Sequence, residues 1–132
     1  MAQNFPPVPF GSFQVGVQVA NIPVLLTAAT TTNVYTVPAS KRFVITQVVA
    51  HDPNGNASTA TLNVGSVNTT ANSQMAAVAL TNLGTAAAST YTVTSALAAA
   101  APILQGGDVV TIVPATAATG VTIQVDLIGY VL

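Results

Sequence analysis

Ionic side chains are nearly missing from this chain of 132 residues, which has two cations, three acids and one histidine. The cations are Lys41 and Arg42, the acids are Asp52, Asp108 and Asp126, and there is no glutamate. Charged residues make up 4% of the chain, against about 25% in an ordinary soluble domain. Each contact to a nucleic-acid backbone needs its own cation or donor, so two basic residues argue against direct nucleic-acid binding. Cysteine is absent, which excludes disulfides and thiolate metal sites. Tryptophan is absent and aromatics are 5%, too few for the aromatic girdles of an outer-membrane barrel. No apolar run is long either. The most apolar tract, Ala96 to Leu104, is mostly alanine and is broken by Pro102, whereas a spanning helix needs about 20 apolar residues. No basic segment precedes an apolar one after Met1, so neither a secretory signal nor a membrane partner is expected.

What the chain does have is apolar side chains, at 51%. With a formal net charge of −1, repulsion does little to keep copies apart. Such a surface self-associates unless other copies or a larger assembly cover it. The length suits one domain with a single core.

Residues Met1 to Gly11 set Phe5, Val8 and Phe10 among Pro6, Pro7 and Pro9. Proline fixes an extended backbone and removes amide donors, so this arm cannot enter the middle of a sheet. It is either a disordered terminus or an extended arm whose apolar side chains dock on a neighbouring subunit, and the second reading makes Phe5, Val8 and Phe10 candidate interface residues. Residues 12–132 read as one β-sandwich.

The spine of that sandwich is read from Val34 to Gly55. A strand at Val34–Val37 stops at Pro38, a turn carries Lys41 and Arg42, and a strand follows from Phe43 to His51. Strict alternation puts Phe43, Ile45, Gln47, Val49 and His51 on one face and Val44, Thr46, Val48 and Ala50 on the other. Both faces are largely apolar, as in a strand covered on both sides. Asp52-Pro53-Asn54-Gly55 has the chemistry of a reversal, which makes Thr59–Val64 the antiparallel partner of the spine. Before the spine, Phe13 to Val19 alternates as a half-buried strand, Asn21 and Pro23 interrupt it, and Val24–Thr27 resumes. After it come a polar loop at Gly65–Ser73, an alanine-rich stretch at Gln74–Leu83 that allows a helical turn or a strand and is read as a strand from its β context, and a strand at Tyr91–Ser95. Gln105-Gly106-Gly107-Asp108 turns into Val109–Val113, stopped by Pro114. The most regular strand is the last, with Val121, Ile123, Val125 and Leu127 inward and Thr122, Gln124 and Asp126 outward. About eight short strands with Gly, Pro and Asn turns, and no amphipathic helix, predict an all-β antiparallel sandwich of jelly-roll type with a Pro-rich arm.

Chemistry-bearing residues are few. His51 and Asp52 are neighbours on a strand and point to opposite faces unless the turn breaks the alternation, so they make a poor acid–base pair. His51 is assigned to packing, hydrogen bonding or a subunit contact. Asp52, Asn54 and Asn56 mimic the opening of a calcium loop, yet its twelfth position is Asn63 rather than a bidentate Glu, and turn formation accounts for the same residues. Lys41 and Arg42 either solvate their turn or pair with an Asp of another strand or subunit, which places them among the interface candidates. Tyr35, Tyr91 and Tyr130 could serve a carbohydrate platform. Neither a phosphate loop nor a cofactor motif is present, and no catalytic or metal residue is assigned. A small glycan-cleaving enzyme remains a rival that the missing Glu and single His disfavour.

Tyr35-Thr36-Val37-Pro38-Ala39-Ser40-Lys41-Arg42-Phe43-Val44-Ile45, the turn Asn54-Gly55-Asn56-Ala57 and Thr61-Leu62-Asn63-Val64 resemble a module common in tailed-bacteriophage virion proteins. In that module a YTVPAGK run introduces a strand and an L-x-x-GD turn introduces the closing hairpin. Leu104-Gln105-Gly106-Gly107-Asp108-Val109 resembles that turn, and Asp126-Leu127-Ile128-Gly129-Tyr130-Val131 resembles the final strand. The resemblance runs from Val34 to Leu132 in outline. It implies a trimerising β-sandwich located on the virion after assembly in the host cytoplasm. Such modules occur as capsid decoration or cement proteins and as tips of tail fibres and spikes. The absence of a fibrous shaft suits the former, with the major capsid protein and further copies of itself as partners. The alternative is a receptor-binding tail module that recognises host glycans.

Overall fold

The computed structural model describes residues 16–84, 91–94, 97–98 and 101–132. Among them, nine strands form: β1 (Val17–Leu25), β2 (Thr32–Thr36), β3 (Arg42–His51), β4 (Thr61–Ser66), β5 (Met75–Ala79), β6 (Tyr91–Thr94), β7 (Leu104–Gln105), β8 (Val109–Thr116) and β9 (Thr122–Val131). They make two antiparallel sheets. The first has the order β1-β9-β3-β6, with β7 also paired to β3, and the second has the order β2-β8-β4-β5. The sheets face each other across one apolar core, so the molecule is an all-β sandwich. The arm residues Phe5, Val8 and Phe10, and residues 12–15, lie outside the described residues.

The last strand was the easiest to read. Ile123, Val125 and Leu127 are fully buried, each contributing about 1.5–3 kcal/mol, while Val121 is half-buried. The β9 strand pairs with β1 on one edge and β3 on the other. Beyond it, Leu132 and Arg42 exchange both backbone hydrogen bonds, at 2.8 and 3.1 Å, which ties down the end of the chain.

Five expectations need correction. Strand β4 is not the partner of β3: it pairs with β8 and β5 in the opposite sheet. The Asp52–Gly55 reversal is the start of a crossover, because Pro53, Ala57 and Ala60 are buried and carry residues 52–60 over the end of the sandwich. The faces of β3 do not alternate strictly. A bulge between Ile45 and Gln47 shifts the phase, so Phe43 and Ile45 point inward and then Val48 and Ala50 do, leaving Val44, Gln47, Val49 and His51 half-exposed. The outer face is therefore not closed by this chain. Asn21 and Pro23 do not interrupt β1, since β1 is an edge strand, where a missing amide donor is tolerated. Pro114 does not stop β8, because β2 pairs no further than Ile112 and β4 bulges between Thr61 and Leu62 opposite Pro114.

Phe43 is the bulkiest of the fully buried side chains. Its ring meets Tyr35 at a centroid distance of 4.8 Å, tilted by 52°. Room for it depends on Gly129: a Cβ there would lie 2.3 Å from the Val44 carbonyl oxygen and 2.6 Å from Phe43 Cζ. Asp108 ties three loops together. Its carboxylate accepts the Gln105 amide at 2.7 Å and Asn68 Nδ2 at 2.6 Å, while its carbonyl accepts the Val37 amide at 2.9 Å. The Gln105 amide first, then Asn68, holds the carboxyl below its ordinary value of 3.8.

Gly129→Ala should therefore cost about 3 kcal/mol or more, since the nearest obstacle is backbone, seen as a lower denaturation midpoint. Asp108→Asn should cost about 1 kcal/mol at neutral pH, a hydrogen-bond loss moderated by partial exposure. Because the folded carboxyl titrates below 3.8, the stabilisation it provides is intact above that value and fades as pH falls through the lower folded one. Denaturation curves of both forms should converge only in strong acid.

Candidate assembly surface

The sequence candidates Lys41 and Arg42 lie at the β2–β3 connection and the start of β3, both exposed. Ser40, at φ 64°, and the bond from the Lys41 amide to the Pro38 carbonyl at 3.1 Å close that turn. Among the described residues neither cation makes an ion pair. What the sequence did not reveal is their company. Val17 at the start of β1, Tyr130, Val131 and Leu132 at the end of β9, and Ile103 just before β7 are all exposed large apolar side chains. Pairing brings them to one end of the first sheet: Val17 stands opposite Gly129, Tyr130 opposite Val44, and Val131 opposite Phe43, which in turn stands opposite Leu104. The signal was the run Tyr130-Val131-Leu132, whose exposure follows from its lying past the core rather than from its composition. Tyr130 lies on the outer side of the sheet, whereas Val131, opposite the buried Phe43, and Val17, opposite Gly129, lie on the core side beyond the end of the core.

At the other end of the same sheet sits the histidine. Asp52, at φ 49°, leaves the strand in a left-handed conformation and turns its carboxylate back, to 3.1 Å from His51 Nδ1. The turn thus breaks the alternation that would have separated the pair. Asp126 Oδ2 lies 3.2 Å from His51 Nε2, close in distance but out of line for a hydrogen bond, and the other Asp126 oxygen accepts Asn21 Nδ2. Sequence reasoning missed Asp126 and Asn21 because their meeting depends on register, with Asn21 opposite Asp126 and Asp126 opposite Val49, two residues from His51. Together the four side chains fasten β1, β9 and β3 across the outer face.

The calcium-like residues are spent on the turn. Asn54 Oδ1 accepts the Thr122 amide at 2.8 Å, and Asn56 Oδ1 accepts both the amide and hydroxyl of Ser58, at 2.9 and 2.8 Å. Among the described residues no group of three or more His, Cys, Asp or Glu side chains could hold a metal ion. No pocket forms among them. The tyrosines do not make one platform either. Tyr35 packs on Phe43, Tyr91 stands opposite His51 in line with Gln124, and Tyr130 lies six residues further along β9, roughly 20 Å away.

Asp126→Ala should destabilise the protein by about 1–2 kcal/mol by removing the hydrogen-bond acceptor of Asn21 and the carboxylate beside His51. Thermal unfolding should show this loss, and Asp126→Asn should recover part of it if hydrogen bonding to Asn21 is the larger contribution.

No family model matches this sequence, and none of the curated proteins does. Among solved structures, a chain of the cyanophage Pam1 capsid asymmetric unit is similar to it, at 24% identity and a TM-score of 0.50, over 97% of this chain and 94% of that one. The likeness is one of fold and runs nearly the full length of both chains.

Proposed function

We propose that this protein is a structural component of a bacteriophage virion that decorates the capsid and holds adjacent capsomers together through buried apolar area. The observation that carries this reading is the end-to-end likeness of fold to a chain of a capsid asymmetric unit. The sparse charge of the chain and the exposed apolar side chains at the end of the first sheet near Lys41 and Arg42 support it, because both suit a surface covered by neighbours. The order β1-β9-β3-β6 facing β2-β8-β4-β5, with β7 as an added short strand, supports reading the sandwich as a jelly roll. The functional unit is a homotrimer, the major capsid protein is its partner, and the virion surface is its place. Its work is adhesion rather than catalysis.

Purified full-length protein added to capsids of the encoding phage that lack it should bind saturably and raise the temperature at which they break. Absence of capsid affinity together with binding to host cells or their polysaccharide would replace this reading with that of a receptor-binding tail module.

A further inference from the structure

A neutral imidazole has one N–H and one bare nitrogen, and an ionised carboxylate only accepts. His51 has a carboxylate on each side: Asp52 Oδ2 is 3.1 Å from Nδ1, and Asp126 Oδ2 is 3.2 Å from Nε2. Whichever nitrogen of a neutral ring holds the hydrogen, the other turns its lone pair toward a negative oxygen. Nε2 is also shielded from solvent and has no hydrogen-bond partner among the described residues, so bulk water does not relieve the contact. The arrangement is complete only with one further proton.

We propose that His51 Nε2 and Asp126 Oδ2 form a proton-binding site, and that the proton closes a clasp across three strands. The clasp belongs to a single copy and needs no capsid. With the proton in place the ring donates on both sides. A line of contacts then runs through Asn21, Asp126, His51 and Asp52, from the edge strand β1 through β9 to the end of β3. A small turn of the ring brings Nε2–H into line, and charge on both partners strengthens the bond. Without the proton, Asp126 still holds β1 through Asn21 but faces a lone pair on β3. No other ionisable group competes for His51. Directly opposite it stand neutral Gln124 on β9 and Tyr91 on β6, while β1 supplies neutral Asn21 and residues 53–60 supply no ionisable side chain. Lys41 and Arg42 lie at the other end of β3, Asp108 is engaged by Gln105 and Asn68, and Tyr35 packs on Phe43. Unfolding separates His51 from Asp126, so the folded protein keeps this proton more firmly than the unfolded chain. The stability that the clasp supplies is therefore whole below about pH 6.5, the ordinary histidine value, and is lost as pH rises above it.

The composition makes the test clean. Ordinary Asp, Tyr, Lys and Arg side chains titrate outside the range from about pH 5 to 8, and the chain has one histidine. Full-length protein is unfolded in urea at intervals between about pH 5.5 and 8.5. The unfolding constant of the unsubstituted protein should rise about three- to tenfold across this range. In His51→Gln the rise should vanish, apart from any contribution of the terminal amine that all forms share. Asp126→Asn, which keeps an acceptor for Asn21, should lose most of it. A flat or falling profile for the unsubstituted protein overturns the proposal, as does an undiminished rise in either variant. The single histidine also gives one pair of ring-nitrogen NMR signals that need no assignment. At about pH 7, where free histidine is mostly neutral, both nitrogens should be protonated and the Nε2 hydrogen slow to exchange. A bare ring nitrogen at that pH overturns the proposal even if neither variant folds.

Discussion

The fold depends on the final strand pairing on both of its edges at once. Until β9 lies between β1 and β3 the first sheet has no middle, and Ile123, Val125 and Leu127 have no core to enter. That pairing joins the two ends of the sequence, which makes the contacts non-local and the loop closure costly. The structure secures it at three points: the four-residue cluster around His51, the Leu132–Arg42 backbone exchange, and the Gly129 crossing between Phe43 and Gly16. The first uses a left-handed residue and the third a missing Cβ, while the second extends the antiparallel ladder by one more pair.

The same pairing distributes the surface. By holding β1, β9, β3 and β7 in register it places the last three residues of the chain past the reach of the core, where their apolar side chains are bare and next to the two cations. The outer face of this sheet carries Asn21, Asp126 and His51 at one end and Tyr130 at the other. A chain with so little charge cannot keep such bare side chains apart from their own kind by repulsion. The polar cluster at the opposite end fastens β1, β9 and β3 to one another.

The turn residues show how a sequence pattern acquires a physical reason. Gln105-Gly106-Gly107-Asp108 reads along the chain as a local reversal, yet Asp108 also reaches Asn68 and supports the Val37 amide. Its carboxylate is a tie between loops of both sheets, and its depressed titration follows from that role. Asp52-Pro53-Asn54-Gly55 likewise reads as a hairpin turn, but the tertiary structure uses it to begin a crossover, with Asn54 bound to Thr122 rather than to its own neighbours.

The sequence by itself determined that the chain is all-β, where most strands lie, which side of β9 is buried, and that ionic and thiolate chemistry are scarce. These follow from composition and a period of two, which are local properties. Only the tertiary structure decided that β4 joins the sheet opposite β3, that Pro23 and Pro114 are tolerated, that a bulge changes the phase of β3, and that His51 stands between Asp52 and Asp126. Each of these depends on which strand lies alongside and in what register, and no side chain carries that information alone. A proline is harmless at an edge and disruptive in a ladder, and an apolar side chain is core or adhesive surface according to whether another sheet lies over it.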